Sequence, residues 1–199
     1  MDKKELKKAL KKTWHFIWED DSILSWLVNI VLAFVLIKFI VYPVLGLMLG
    51  TSFPVVAVVS SSMEHNTNFE DWWDVNSDYY SNFNIKKDDF KQYIFKNGFN
   101  KGDIIVLMGA KPEKVILGDV LVFDGNRNDP IIHRTIKKWN EDNVYYFQTK
   151  GDNNPRSISG MEIKISEDRI FGKAVFRIPF LGYVKIWFVE LMKLIGVMS

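Results

Sequence analysis

Three consecutive serines, Ser60, Ser61 and Ser62, close an apolar β-branched run that begins at Val55. Much further along stand His133, inside another apolar run, and Asp152, in a Gly-Asp-Asn-Asn turn. A serine hydroxyl is a weak nucleophile at neutral pH until a base takes its proton, and histidine is the usual base. A carboxylate behind the imidazole fixes its tautomer and stabilises its cation. The residue types therefore suffice for a serine hydrolase. Each also has an ordinary structural reading: serines are common in the turn after a strand, His133 could face outward, and Asp152 could close an Asx turn. His65, close after the serines, stays open as an alternative base. Three scattered histidines do not suggest a metal site, and the absence of cysteine excludes disulfides and thiol nucleophiles.

The elements that must hold these groups follow from patterning. The chain has 199 residues, 48% of them hydrophobic, which allows one domain plus appendages. Its net charge of +2 gives no reason to expect nucleic acid. Residues 1–22 carry Lys3, Lys4, Lys7, Lys8, Lys11 and Lys12, while Leu6, Leu10, Trp14 and Ile17 recur at spacings of four, four and three, the pattern of an amphipathic helix with one lysine-rich face. That face is either solvated or, beside a membrane, turned to anionic lipid. Residues 23–49 form a transmembrane anchor, since a span needs about 20 mostly apolar residues. Lys38 would snorkel, and Pro43 is placed to end or bend the helix. The run is too long for a cleaved signal peptide and no convincing cleavage site follows it. The lysines before it predict a cytoplasmic N-terminus, a cell-membrane location and an extracytoplasmic remainder.

Residues 50–182 read as the extracytoplasmic β domain. Strands are expected at Val55–Val59, Asp103–Met108, Val120–Phe123, Ile131–Ile136, Val144–Thr149 and Arg169–Ile178, with a hairpin turn at Asn140–Asn143. Short strands separated by Gly, Asn, Asp and Pro indicate a mainly β antiparallel barrel or sandwich. Residues 64–101 are an irregular, partly helical insert rich in aromatic and acidic residues, best helical at Asp88–Lys96. Residues 183–199 form an amphipathic helix, interfacial or a second span.

Ser60-Ser61-Ser62-Met63-Glu64 resembles the serine box of type I signal peptidases. Gly102-Asp103-Ile104-Ile105-Val106 and Gly118-Asp119-Val120-Leu121-Val122 resemble that family's two Gly-Asp strand boxes. Ile131-Ile132-His133-Arg134 is similar to the histidine box of its archaeal and endoplasmic-reticulum branch, the Sec11-like serine peptidases. Thr149-Lys150-Gly151-Asp152-Asn153-Asn154 resembles the KGDNN box, and Gly172–Gly182 the final strand and exit. The boxes run in order from about Val55 to Gly182.

The resemblance implies a membrane-bound serine endopeptidase cleaving N-terminal signal peptides from preproteins. Ser62 would be the nucleophile, His133 the general base and Asp152 the acid. Ser60 would help form the oxyanion hole, and Val56, Val58 and Ser61 would touch an extended substrate. No cofactor or metal is implied. The implied partners are preprotein signal peptides, the lipid bilayer and the protein translocation channel. A second acid, usual shortly after the KGDNN box, falls on Ile158 by ungapped counting, so the acid rests on Asp152, on a shifted residue, or on none. The proline usual after Met-Glu is replaced by His65, and the 64–101 insert is longer than the family spacing. The rival readings are a catalytically silent peptide-binding subunit and a peptidase for other membrane-held precursors.

Overall fold

A computed structural model describes residues 2–127 and 129–194. Met1 and residues 195–199, the last part of the helix expected over 183–199, lie outside the described residues. The chain forms two compact units that divide after Met48.

The first unit is helical. Helix α1 spans Lys3–Trp18, as its periodicity predicts. Helix α2, Ile23–Leu36, continues through a π-helical turn at Ile37–Val41 into α3, Tyr42–Leu49. Pro43 therefore neither ends the helix nor breaks it. Its missing N–H and its ring would disturb the bond to the Phe39 carbonyl, and the wide turn just before it absorbs that conflict. The whole Ile23–Leu49 segment is long and apolar enough to cross a membrane.

The second unit is built on one curled antiparallel sheet of seven strands in the order β1-β2-β7-β3-β4-β5-β6. The strands are β1 Val55–Ala57, β2 Ile104–Met108, β3 Val120–Phe123, β4 Ile131–Glu141, β5 Val144–Lys150, β6 Ile165–Ser166 and β7 Ile170–Ile178. The mainly β antiparallel expectation holds, as a half-barrel rather than two packed sheets. The central β3 reads as a continuous apolar run because both of its faces are buried. Val120 and Val122 join one core with Met63, Phe99, Ile105 and Leu107; Leu121 and Phe123 join another with Val115, Phe147 and Ile165. Register shifts at Val106/Leu107, Val122/Phe123 and Thr135/Lys137 supply the bulges that curl such a sheet. At the β4–β5 hairpin, Asp142 and Asn143 both have positive φ, 54° and 64°, which suits a two-residue turn matched to strand twist. The two-residue strand β6 has too little pattern to be read in advance.

The insert is more ordered than its composition suggests. It contains α4, Phe69–Ser81, and α5, Lys87–Gln92. Asn68 caps α4 by accepting the Asp71 N–H at 3.0 Å. Trp72, Trp73, Tyr80, Ile85 and Phe90 form a third core, closed by Ile136 from β4. Ile136 is the residue skipped in the β4–β5 register, so the bulge is what turns it toward the insert. Gly118 shows how the insert also reaches the sheet's turns: its φ is +90°, and a Cβ there would lie 2.3 Å from the Tyr93 ring. Helix α6 spans Tyr183–Leu194.

Phe90 is fully buried, with its ring centroid 5.1 Å from those of both Trp72 and Tyr80. Phe90→Ala is expected to cost about 3–5 kcal/mol in denaturant unfolding of the detergent-solubilised protein. Val75→Ala, at an exposed α4 position, should stay within about 0.5 kcal/mol. A small loss at Phe90 would mean the insert folds apart from the sheet.

Candidate active site

Strand β4 determines the site's layout. Successive strand residues point to opposite faces, so His133 and Arg134 diverge. His133 turns toward the segment that follows β1. Its Nε2 lies 2.8 Å from Ser62 Oγ, and Ser60 Oγ lies 3.1 Å from the same oxygen. On the other side of the ring, Nδ1 is hydrogen-bonded to the Glu162 carboxylate. With Nδ1 donating to that carboxylate, Nε2 is free to accept the serine proton.

Glu162 is fully buried and well held. Its Oε1 accepts the Thr149 hydroxyl at 3.1 Å and its Oε2 accepts the Ile158 N–H at 2.7 Å. The Thr149 N–H donates to the Glu162 carbonyl at 3.0 Å, stitching the loop to β5. A buried carboxylate with this many donors avoids most of the penalty of an unpaired charge.

Asp152 is therefore not the carboxylate behind His133, and that expectation is corrected. Both of its oxygens are engaged elsewhere. Oδ1 accepts from Arg134 Nε at 2.9 Å and from the Tyr80 hydroxyl at 3.1 Å. Oδ2 accepts from Arg134 Nη2 at 2.6 Å and from His65 Nε2 at 3.0 Å. Burial alone would raise this carboxyl, but the Arg134 charge and its hydrogen bonds, aided by His65, hold it well below the usual carboxylate range. Arg134 spends its remaining N–H groups on the carbonyls of Gly118, Ile94 and Phe95, so all five donors are used. His65, the alternative base, faces Asp152 and stacks on Trp72 at 3.8 Å.

The loop after β5 joins the two carboxylate systems. The Asn153 N–H donates to the Ser62 carbonyl at 2.8 Å, and Asn153 Nδ2 to the Ser61 carbonyl at 3.1 Å. Gly151 permits the approach, because a Cβ there would lie 2.7 Å from His133 Nε2 and 2.8 Å from the Ser62 carbonyl oxygen. Lys150 is buried beneath this loop and donates to the Gly151 and Asp152 carbonyls at 3.1 and 3.2 Å. Burial pushes its ammonium down to about 8, with Asp152 pulling the other way.

Ser62 and His133 open on a cleft of about 440 Å³, lined also by Ala57, Val58, Val59, Ser60, Ile132, Asn154 and Ile158, with Arg127 and Asp129 among its remaining walls. Of the three residues expected to touch substrate, Val58 lines this cleft. Val56 instead packs against the core, and Ser61 is exposed and offers its carbonyl to Asn153. Among the described residues no group of three or more His, Asp or Glu side chains is arranged to hold a metal. A hydroxyl, an imidazole and a carboxylate in this order can activate the oxygen for attack on a carbonyl carbon.

Sequence reasoning missed Glu162. The ungapped count ended at Ile158, four residues short, because the 157–161 turn lengthens the loop. One signal was present: Glu162 is the sole carboxylate between Asp152 and Glu167.

Replacing Asp152 with Asn should act mainly on folding. It leaves Arg134 buried without its counter-charge, which is expected to cost about 3–5 kcal/mol in denaturant unfolding. The pH dependence has a definite sign. A depressed folded-state value adds stability above the ordinary value of 3.8 and loses it as pH falls below. The Asn variant should show a correspondingly shallower acid limb.

No family model matches the chain. Eight curated relatives, 26–32% identical, are signal peptidase complex catalytic subunits by name. The SEC11 protein of Plasmodium falciparum is 31% identical over 99 residues, covering 47% of this chain and 53% of the relative. The sec11 protein of Schizosaccharomyces pombe is 30% identical over 118 residues, covering 46% and 61%. The SEC11 protein of Scheffersomyces stipitis is 26% identical over 158 residues, covering 76% and 75%. The chain thus spans between about half and three fifths of the first two relatives. These relatives bear out the resemblance to the Sec11-like branch, and they come from eukaryotes.

Proposed function

We propose, from this kinship with Sec11-type catalytic subunits, that the chain is a membrane-bound serine endopeptidase that removes N-terminal signal peptides from preproteins. The observation that carries the reading is the 2.8 Å contact between Ser62 Oγ and His133 Nε2 on an open cleft beside an edge strand. Ser62 attacks the scissile carbonyl while His133 takes its proton. Glu162, in the place first given to Asp152, keeps the ring oriented and stabilises the imidazolium. The Ser60 hydroxyl and the Ser62 N–H receive the developing oxyanion. His133 then returns the proton to the leaving amine, and a water activated by the same imidazole frees the acyl group.

The substrate would bind extended along β1, the edge strand, with small side chains seated against Val58 and Ile132. The Ile23–Leu49 helix anchors the enzyme in the bilayer, with the N-terminus cytoplasmic and the β domain across the cell membrane. Partner subunits and the translocation channel are the expected company, given the complexes for which the relatives are named. A silent peptide-binding subunit would draw its support from a missing acid, and the carboxylate on His133 weighs against it.

Cleavage of a preprotein in proteoliposomes tests the assignment. Ser62→Ala and His133→Ala are expected to fall to background. Glu162→Gln should lose about 10²–10⁴ in kcat with KM little changed, since it removes a group that acts on the imidazolium. Gly151→Ala should lose about 10²-fold by displacing His133 from Ser62. Undiminished turnover in Ser62→Ala would sink the proposal. A folded wild-type enzyme that leaves secretory preproteins intact and cleaves only another membrane-held precursor would reassign the substrate and leave the chemistry intact.

A further inference from the structure

The first helix and the start of the apolar one are joined by an unusual pair of bonds. Ser25 and Asn29 are the polar interruptions in the stretch Ile23–Ile37. Neither is idle. Ser25 Oγ donates to the Phe16 carbonyl at 2.6 Å, and Asn29 Nδ2 donates to the Ile17 carbonyl at 2.8 Å. Phe16 and Ile17 lie in the last turn of α1, where helix carbonyls have no partner within the helix. The end of α1 is thereby pinned against the first two turns of α2. Asn29 stands six residues into that helix, roughly 9 Å along it at 1.5 Å per residue. An amide and two carbonyls left unpaired at such a depth would be costly in hydrocarbon, and here they satisfy one another.

Helix α1 itself is split lengthwise. Leu6, Leu10, Trp14 and Ile17 share one side; Lys4, Lys8, Lys11 and Lys12 share the other, with Lys7 at the border and Lys3, the first residue of the helix, at the outer end of the apolar side. Leu6, Leu10 and Trp14 are exposed, so nothing within the described residues covers the apolar side. An apolar stripe flanked by lysines, fixed at the mouth of a span, fits a leaflet surface better than water. We propose that α1 is a lipid-docking helix, seated in the leaflet at the N-terminal end of the span and selective for anionic headgroups. The occupant is anionic lipid because the lysines supply the complementary charge and the pinned elbow supplies the depth. This does not rest on the peptidase reading.

The cysteine-free chain makes the test direct. Spin labels are attached to full-length Leu10→Cys and, on the polar side, His15→Cys, both reconstituted in vesicles. One set is phosphatidylcholine, the other an equimolar mixture with phosphatidylglycerol. Accessibility to a neutral, water-soluble nickel chelate is then read. The Leu10 label should be several-fold more protected in the anionic vesicles, with the His15 label open in both. Replacing Lys7, Lys8, Lys11 and Lys12 with Gln should erase the difference between the two compositions. A Leu10 label open in both would overturn the proposal in favour of a solvated helix. Equal protection in both would overturn it in favour of a seat that charge does not select, such as another protein.

Discussion

A buried ion pair, Arg134 with Asp152, is the constraint on which the site depends. Taking two charges out of water costs several kcal/mol for each, and only close geometry with every remaining donor satisfied offsets it. Arg134 meets that condition by drawing on three separate regions: the aspartate after β5, the turn before β3, and the backbone of the insert at Ile94 and Phe95. The planar fork of the guanidinium does this; a lysine ammonium has three donors on a point charge and could not. Because the partners come from distant segments, the pair acts as a clasp holding the loop after β5 at one height relative to β4.

That height matters one residue away. His133 and Arg134 leave β4 on opposite faces, so fixing one fixes the other through a shared backbone. The clasped loop supplies Asn153 to the Ser61 and Ser62 carbonyls and passes Gly151 close under the imidazole. Two carboxylates thus divide the labour. Asp152 faces the guanidinium and organises the scaffold, while Glu162 faces the imidazole. Their environments differ in kind: one is held by a permanent cation, the other by a hydroxyl, a backbone N–H and a ring whose charge can change.

The insert belongs to this arrangement. Tyr80 reaches Asp152, His65 does the same from its stack on Trp72, and Phe90 lies 4.6 Å under the Arg134 guanidinium. Its aromatic content is explained by a core of its own and by the need to wall off a buried charge from water. His65 thereby adds a hydrogen bond from the start of the insert to the same clasp.

Local sequence by itself determined the helices of the first unit and the identities of most strands, because hydrophobic period is a local property read within a few residues. β3 was legible for the same reason, and the order of the boxes pointed to Ser62 and His133. What only the tertiary structure decided is which groups meet. The acid behind His133 is set by the length of a turn, and ungapped counting cannot see four added residues. The role of Asp152 is set by the face on which Arg134 leaves β4 and by an insert whose packing has no period. Contacts between residues separated by tens of positions depend on register and loop path, and neither is written in any one segment.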